Sequence, residues 1–177
     1  MPPGARLTLF DNVLTDLPNR FGDHPALNDE AREVLGAAYE RAQAFQDAAF
    51  EAGPVIALHA DLHGGNLKWH QGRLSIFDFD DAGLGVPALD LAIAAYYLRD
   101  RDDLEDALRA GYSTVRTLPQ VTAEQFEAMV AGRNLLLVDD LLEQQNAELQ
   151  AFVPTYVESS VRRLRGWLQT GTYHRES

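Results

Sequence analysis

The stretch HADLHGGNLKWHQGRLSIFDFDD, residues 59–81, carries most of the chemistry that this sequence offers. It places three histidines and four aspartates within 23 residues, interrupted by glycines and bordered by apolar runs. Three interpretations are open from this pattern alone. The segment is a metal-binding histidine cluster, a catalytic carboxylate with its metal ligands, or a polar hairpin on the surface.

The length and composition of the chain set the frame for this segment. A chain of 177 residues is long enough to bury one core, so we expect a single domain over residues 1–177. Its hydrophobic share of 46% and charged share of 24% are ordinary for a globular protein. No apolar run is long enough to cross a membrane, and the first residues lack the apolar core of a secretory signal. The expected compartment is the cytoplasm.

The net charge of −12 narrows the expected partners. Such a surface repels polyanions, so neither nucleic acid nor an anionic membrane is an expected partner. It favours a cationic substrate or a bound metal ion, although a solubilising surface would have the same charge. The chain has no cysteine, which excludes disulfides, thiolate zinc sites and cysteine nucleophiles.

Hydrophobic periodicity predicts that most of the chain is helical. Residues 1–28 contain several turn motifs and predict short helical pieces joined by turns. The first long helix is expected to begin at Asp29, behind an asparagine N-cap, and to stop before Gly53 and Pro54. After Pro87 we expect four more helices, at residues 88–99, 102–116, 122–147 and 154–169.

A small amount of β-structure is expected between these helices. The apolar run PVIALHA predicts a buried strand, and NLKWH and RLSIFDF, joined by the turn dipeptide QG, predict a β-hairpin. Alternation places Leu74, Ile76 and Asp78 on one face of the hairpin and Phe77 and Phe79 on the other. The predicted fold class is therefore α+β, mostly helical, with one small hairpin.

A metal cluster is one interpretation of the polar segment. His59, Asp61 and His63 alternate along the chain, so in an extended segment their side chains would point the same way. Imidazole and carboxylate ligands suit zinc or iron, as in a metallohydrolase. This interpretation gives no role to Asn66 or to the aspartates of DFDD.

The spacing of Asp61, Asn66 and Asp78 supports another interpretation. Asn66 follows Asp61 by five residues across a glycine bend, and Asp78 ends a strand twelve residues later. Asp61 would face an attacking hydroxyl group, while Asn66 and Asp78 would hold Mg²⁺ on the phosphates of a nucleotide. Oxygen ligands suit such a hard cation, and phosphoryl transfer needs mainly alignment and charge neutralisation.

These residues resemble the catalytic core of the aminoglycoside phosphotransferase/choline kinase family, which has a protein-kinase-like fold. The family pattern is His-Gly-Asp-Leu-His, two residues, Asn, then a strand ending in Asp, and later Asp-Leu-Ala. The sequence has HADLHGGN at 59–66, IFD at 76–78 and DLA at 90–92. The resemblance implies that the chain is the C-terminal lobe of such a kinase, with the hairpin carrying the catalytic and metal-binding loops.

The resemblance also implies roles for the residues of the centre. Asp61 becomes the catalytic residue, which orients the hydroxyl group and accepts its proton late. Asn66 and Asp78 become the Mg²⁺ ligands. Together with His63, which is expected near the phosphates, they bind the ATP that serves as the phosphoryl donor.

Further residues are implied as supports of this centre. His59 and Asp90 would hold the shape of the catalytic loop, and Asp80 and Asp81 are candidates for assisting the metal or meeting a cationic substrate. The sequence departs from the family pattern at Ala60, where the family usually has glycine.

A larger departure lies upstream of the loop. Kinases of this fold place a small β-rich lobe there, with a strand lysine on the phosphates and a helix glutamate paired to it. Only 58 residues precede His59, and the first lysine in the chain is Lys68. The sequence GLGVP at 83–87 predicts a turn and lacks the lysine of a phosphate-binding loop. The chain is therefore expected to be a fragment, a stand-alone lobe, or half of a two-chain enzyme.

The leading hypothesis is the catalytic lobe of an ATP-dependent phosphotransferase acting on a hydroxyl group. The acceptor would be a small molecule, such as an aminoglycoside, choline or homoserine, or a protein serine or threonine. The main alternative is a kinase-like binding module without turnover, and the distant one is the His/Asp metallohydrolase. A lobe with one uncovered side would expose apolar surface, so we expect a homodimer or a partner that supplies an N-terminal lobe.

Overall fold

Helices form most of the computed structural model, which describes residues 7–15 and 19–175. In chain order the elements are β1 (Thr8–Leu9), α1 (Asp29–Ala52), β2 (Ile56–Leu58), a 3₁₀ turn (Gly64–Asn66), β3 (Leu67–His70), β4 (Arg73–Ile76), β5 (Gly83–Gly85), α2 (Pro87–Leu98), α3 (Asp102–Ser113), α4 (Ala123–Glu143), α5 (Ala147–Gln150) and α6 (Val153–Thr170). The predicted α+β class, mostly helical with a small hairpin, is confirmed.

The prediction of short helical pieces in residues 1–28 was wrong for the part of this segment that the structure describes. Residues 7–15 and 19–28 form strand β1 and turns, and no helix is found among them. The predicted pieces at residues 1–6 and 16–18 lie outside the described residues. Turn motifs such as FGDHP mark the chain reversals correctly, but they do not show that a two-residue strand pairs with a distant segment.

The helix boundaries follow from capping groups. The Asn28 side chain accepts a hydrogen bond from the Ala31 backbone N–H at 2.8 Å and so caps α1. Thr122 and Gln125 form a reciprocal capping box at the start of α4. The helix predicted over 122–147 instead ends at Glu143, because Asn146 caps the separate short helix α5. Gly171, with φ of +82°, ends α6 in the left-handed conformation.

A three-stranded sheet brings residues 59–66, the candidate catalytic loop, next to helix α2. Strand β5 is central, parallel to β1 and antiparallel to β2, with Leu58 opposite Gly83. Strand β2 leads directly into His59, and β5 leads into α2 and Asp90. The turn predicted for GLGVP was wrong: its first three residues form β5, which alternation could not indicate in so short and glycine-rich a segment.

The hairpin leaves an apolar face exposed. Gln71 and Gly72, both with positive φ, form the tight turn between β3 and β4. Trp69 lies opposite Leu74 and Leu67 opposite Ile76, so these four side chains share one face. Trp69 is 70% exposed, Leu74 54% and Ile76 46%. We call Trp69, Leu74 and Ile76 the hairpin face.

The predicted alternation therefore holds for Leu74 and Ile76, but it does not extend to Asp78. Strand β4 ends at Ile76, and Asp78 has a φ of +65°, which breaks the pleat. The side chains of Phe77 and Phe79, beyond the strand, are also largely exposed.

Helix α4 is the centre of the core. It packs against α1, α2 and α6, and its inward residues Leu135 and Val138 are fully buried. Because α4 packs against three long helices of the core, its side chains are held rigidly in place. Across the described ranges, no helix is both long and apolar enough to cross a membrane.

The sheet that positions the loop depends on glycine at position 83. A Cβ atom there would lie 2.5 Å from the Thr8 carbonyl oxygen and 2.5 Å from the Phe10 ring. We expect Gly83→Ala to destabilise the fold by about 2 kcal/mol, as an overpacked core site does. Urea unfolding measures this, with Gly22→Ala as the control because a Cβ there meets no atom within 4 Å. Equal stability of the two variants would contradict the prediction.

Candidate active site

The carboxylate of Asp90 holds the beginning of the catalytic loop. It accepts hydrogen bonds from the backbone N–H groups of His59, at 3.0 Å, and Ala60, at 2.8 Å. Asp90 lies in the first turn of α2, where the helix dipole favours a negative charge. Ala60 has φ of +63°, a conformation that costs a non-glycine residue about 1 kcal/mol or more. The two hydrogen bonds fix this strained peptide in place.

The ring of His59 joins the loop to the end of the hairpin. Its Nε2 lies 3.1 Å from the Phe77 carbonyl oxygen, which can only accept, so Nε2 carries the proton. Its Nδ1 then accepts from the Asp61 backbone N–H at 3.3 Å. The residue is buried and its ring packs on Phe79 at 4.6 Å. His59 is therefore placed as an internal brace, with both nitrogens directed at the backbone.

Asn66 connects Asp61 to the candidate metal site. Its Nδ2 donates to the Asp61 carbonyl oxygen and to the Asp61 carboxylate, each at 2.9 Å. Both partners are pure acceptors, so the atom that faces them must be the amide nitrogen. The amide oxygen consequently points elsewhere and suits a hard cation. The donor set of an amide oxygen with a nearby carboxylate fits Mg²⁺.

Asp78 is brought near Asn66 through the backbone. The Phe77 N–H donates to the Asn66 carbonyl oxygen at 3.2 Å, so Asp78 directly follows a residue tied to Asn66. Its φ of +65° is one that aspartate tolerates better than most residues. Its exposed position leaves the carboxylate accessible to solvent and ions.

His63 packs against the carboxylate of Asp61. Its Nδ1 accepts from the Gly65 N–H at 3.0 Å, which leaves the proton on Nε2, 3.4 Å from the Asp61 carboxylate. A Cβ at Gly65 would lie 2.5 Å from the His63 ring, so any larger residue there would displace that ring. The structure thus places His63 on the loop backbone and on Asp61, while its predicted contact with phosphate stays a prediction.

Arg133 of α4 forms an ion pair with Asp61 that sequence reasoning missed. The guanidinium is buried, and its Nε and Nη2 donate to the Tyr97 hydroxyl at 3.3 and 2.8 Å. The ring of Tyr97 in turn lies 4.7 Å from that of His63. Asp61 is therefore held by groups from three elements: the 3₁₀ turn, the loop before it, and α4.

The charges in this cluster are fixed by its surroundings. Burial raises the pKa of Tyr97, and the adjacent Arg133 offsets this only in part. Burial alone would lower the pKa of Arg133, but its interactions with Tyr97 and Asp61 outweigh that effect and raise the pKa. Tyr97 is therefore neutral and Arg133 cationic at neutral pH, which makes Arg133 a permanent counter-charge for Asp61.

Asp80 and Asp81 share a cavity with Arg133. Together with Asp140 of α4 and Arg133 they line a cavity of about 310 Å³ that reaches strand β1. Burial raises the pKa of Asp140, and Arg133 counters the effect. The structure thus gathers Asp80 and Asp81 near the catalytic loop but shows no direct bond from them to Asp61.

The metal-cluster interpretation does not agree with this geometry. The loop is bent at Ala60, so it is not the extended segment that the alternation of His59, Asp61 and His63 assumed. Both ring nitrogens of His59 face backbone groups. In the portion of the chain that the structure describes, no three such side chains are grouped to hold a metal ion.

The two residues that sequence reasoning missed are Arg133 and Tyr97. Arg133 lies within the apolar stretch MVAGRNLLLV of α4, and a charged residue on a buried helix face requires a partner. That feature could have marked Arg133 as functional, but not identified Asp61 as its partner. No sequence pattern in the apolar helix α2 marks Tyr97 as a residue of the site.

The fold and this arrangement define the class of a kinase-like phosphotransferase lobe. Residues 2–124 match the family described as APH, phosphotransferase enzyme family, and the chain belongs to that family. Over 39 residues it is 46% identical to an amicoumacin kinase of Bacillus subtilis (strain 168), a match that covers 22% of this chain and 12% of the relative. The expected family resemblance is confirmed.

Solved structures show the same fold. A microcompartment-associated aminopropanol kinase matches 88% of this chain and 50% of its own length, with a TM-score of 0.70 and 22% identity. An amicoumacin kinase in complex with AMP-PNP, Ca²⁺ and Ami matches 77% of this chain and 46% of its own, with a TM-score of 0.57 and 19% identity.

A choline/ethanolamine kinase family protein from Mesorhizobium loti matches 81% of this chain and 48% of its own, with a TM-score of 0.58 and 17% identity. The chain thus spans about half the length of these three structures.

The role of Asp90 in holding the loop can be tested directly. Asp90→Asn keeps the shape but turns one acceptor into a donor facing a backbone N–H, so we expect a loss of about 2 kcal/mol in the free energy of unfolding. Hydrogen exchange of the His59 and Ala60 amides should accelerate. The matched control is Asp80→Asn, an exposed position expected to change stability by less than about 0.5 kcal/mol. Unchanged exchange in Asp90→Asn would refute this role.

Proposed function

We propose that this chain is the catalytic lobe of an ATP-dependent phosphotransferase that moves a γ-phosphoryl group to a hydroxyl group of a small molecule. The observation that carries the proposal is the bridge made by Asn66. Its amide nitrogen holds the Asp61 carboxylate at 2.9 Å, and its oxygen is left for a cation. One side chain therefore couples the group that would meet the acceptor with the group that would meet the metal.

In the proposed reaction, Asp61 aligns the acceptor hydroxyl group with the phosphorus atom and accepts its proton late in the transfer. Arg133 and Asn66 restrain the carboxylate, which reduces the motion that would have to be lost when the acceptor binds. Asn66 and Asp78 would hold Mg²⁺ together with the bound nucleotide. Mg²⁺, when bound, supplies charge neutralisation for the transferring group.

The known proteins with this fold support the donor and the type of acceptor. The solved amicoumacin kinase holds AMP-PNP and Ca²⁺, a nucleotide analogue with a divalent metal ion. Another neighbour is an aminopropanol kinase, whose name denotes a small alcohol. An acceptor of this size, and not a protein serine or threonine, is the better inference for this chain.

A second lobe is proposed to cover the hairpin face. Apolar side chains as exposed as Trp69, Leu74 and Ile76 are unusual unless another surface packs on them. The solved structures are about twice as long as the matched chain, so their remaining half is a candidate for that surface. Such a lobe, in the same polypeptide or in a partner chain, would supply the phosphate-binding lysine that no residue before Lys68 provides.

A kinase-like binding module is the alternative that the same observation supports. If no second lobe completes the cleft, the site lacks that lysine. The chain would then bind a nucleotide weakly and transfer its phosphoryl group slowly. Nucleotide binding without phosphoryl transfer would favour this alternative.

The test is calorimetric titration of the chain with AMP-PNP, with and without Mg²⁺. We expect binding that requires Mg²⁺ and weakens about tenfold or more in Asp78→Asn, since one ligand charge is lost. Asparagine tolerates the positive φ of this position, so the variant should fold. Asp23→Asn, the same change at an exposed position outside residues 59–81, should bind as the parent does. Mg²⁺-independent binding, or equal effects of the two variants, would contradict the metal assignment.

A further inference from the structure

An apolar groove lies between helices α2, α4 and α6. Tyr97, Leu137, Leu141, Leu149, Phe152 and Tyr156 line most of it, and we call it the aromatic groove. Its volume of about 550 Å³ is in the range of small-molecule pockets. Phe152 is 64% exposed and Leu149 41%, so the outer end of the groove is open to solvent.

The inner end of the groove is connected to Asp61. Tyr97 forms part of its wall, and the Tyr97 hydroxyl accepts from Arg133, the ion-pair partner of Asp61. Leu137 and Leu141 follow Arg133 at successive intervals of four residues and so lie on the same side of α4. At a rise of 1.5 Å per residue, this row extends about 12 Å away from the catalytic carboxylate.

The lining of the groove differs in charge from the lining of the cavity that Arg133 shares with Asp80 and Asp81. Asp80, Asp81 and Asp140 make that cavity acidic, whereas no carboxylate lines the aromatic groove. Its one charged lining residue is Arg175, whose guanidinium lies 4.9 Å from the Tyr96 ring centroid. Aromatic rings attract cations, but the Arg175 guanidinium already lies over Tyr96 and, at 6.0 Å from the ring centroid, over Tyr97. It would repel a second cation from these rings, and no carboxylate of the lining offsets that repulsion.

We infer that the aromatic groove binds the body of the acceptor, which is an alcohol with an uncharged aromatic or aliphatic framework. The hydroxyl group lies at the inner end, near Tyr97 and Asp61, and the framework lies along Leu137 and Leu141. This inference rests on the proposed function and specifies its substrate class. It runs against the expectation of a cationic acceptor that the net charge of the chain suggests.

Two primary alcohols that share a propanol chain distinguish an uncharged acceptor from a cationic one: 3-phenyl-1-propanol and the cationic 3-amino-1-propanol. Each is titrated into the ¹⁵N-labelled chain without nucleotide or metal, and amide chemical shifts report where it binds. We expect 3-phenyl-1-propanol to shift the amides of Leu137, Leu141 and Phe152. We expect 3-amino-1-propanol to leave them unchanged.

Variants show whether the groove is responsible. Phe152→Ala removes an exposed ring that lines the groove, so the fold should persist and the affinity for 3-phenyl-1-propanol should fall about fivefold. Trp69→Ala removes an equally exposed ring from the hairpin face and should not change the affinity.

Three results would overturn the inference. These are shifts confined to the hairpin face, equal binding of the two alcohols in the groove, and no binding of either alcohol. Because the titration contains no nucleotide, its failure is distinct from failure of the phosphotransferase proposal. If the chain binds 3-phenyl-1-propanol in the groove but does not bind AMP-PNP, the groove is still a ligand site. The phosphotransferase proposal would then fail.

Discussion

The site depends on the two backbone N–H groups that donate to the carboxylate of Asp90. Ala60 is held at φ of +63°, which turns the chain so that Asp61 leaves the strand direction and faces α4. Without an acceptor from α2, this peptide would relax toward an extended conformation, because the left-handed one is unfavourable for alanine. The pairing of β2 with β5 brings that acceptor to the loop.

A second constraint is the balance of charge around Asp61. In the proposed reaction an anionic group would approach this carboxylate, and a buried cation nearby would reduce the repulsion between them. Arg133 provides that cation from α4, the helix at the centre of the core, and Tyr97 fixes its orientation. Arg133 lines the acidic cavity and Tyr97 lines the apolar groove, so this hydrogen-bonded pair borders two chemically different surroundings.

The sequence allowed prediction of the parts of the site that are close together along the chain. Asn66 and Asp78 lie just outside the two ends of one hairpin and Asp61 lies five residues before Asn66, so their spacing alone indicates that the three residues are neighbours. Arg133 is 72 residues from Asp61, and its contact depends on how α4 packs, which periodicity does not specify. The helices followed from capping residues and apolar spacing. Strand β5 was missed because two of its three residues are glycines and only its pairing stabilises it.

The most direct test of the central claim, that Asn66 and Asp78 hold the metal of a bound nucleotide, is paramagnetic line broadening. A trace of Mn²⁺ is added to the ¹⁵N-labelled chain with AMP-PNP. The account predicts that broadening is centred on the amides of Asn66 and Asp78 and requires the nucleotide. Broadening centred instead on the acidic first turn of α3, at Asp102 and Asp103, or independent of nucleotide, would contradict it.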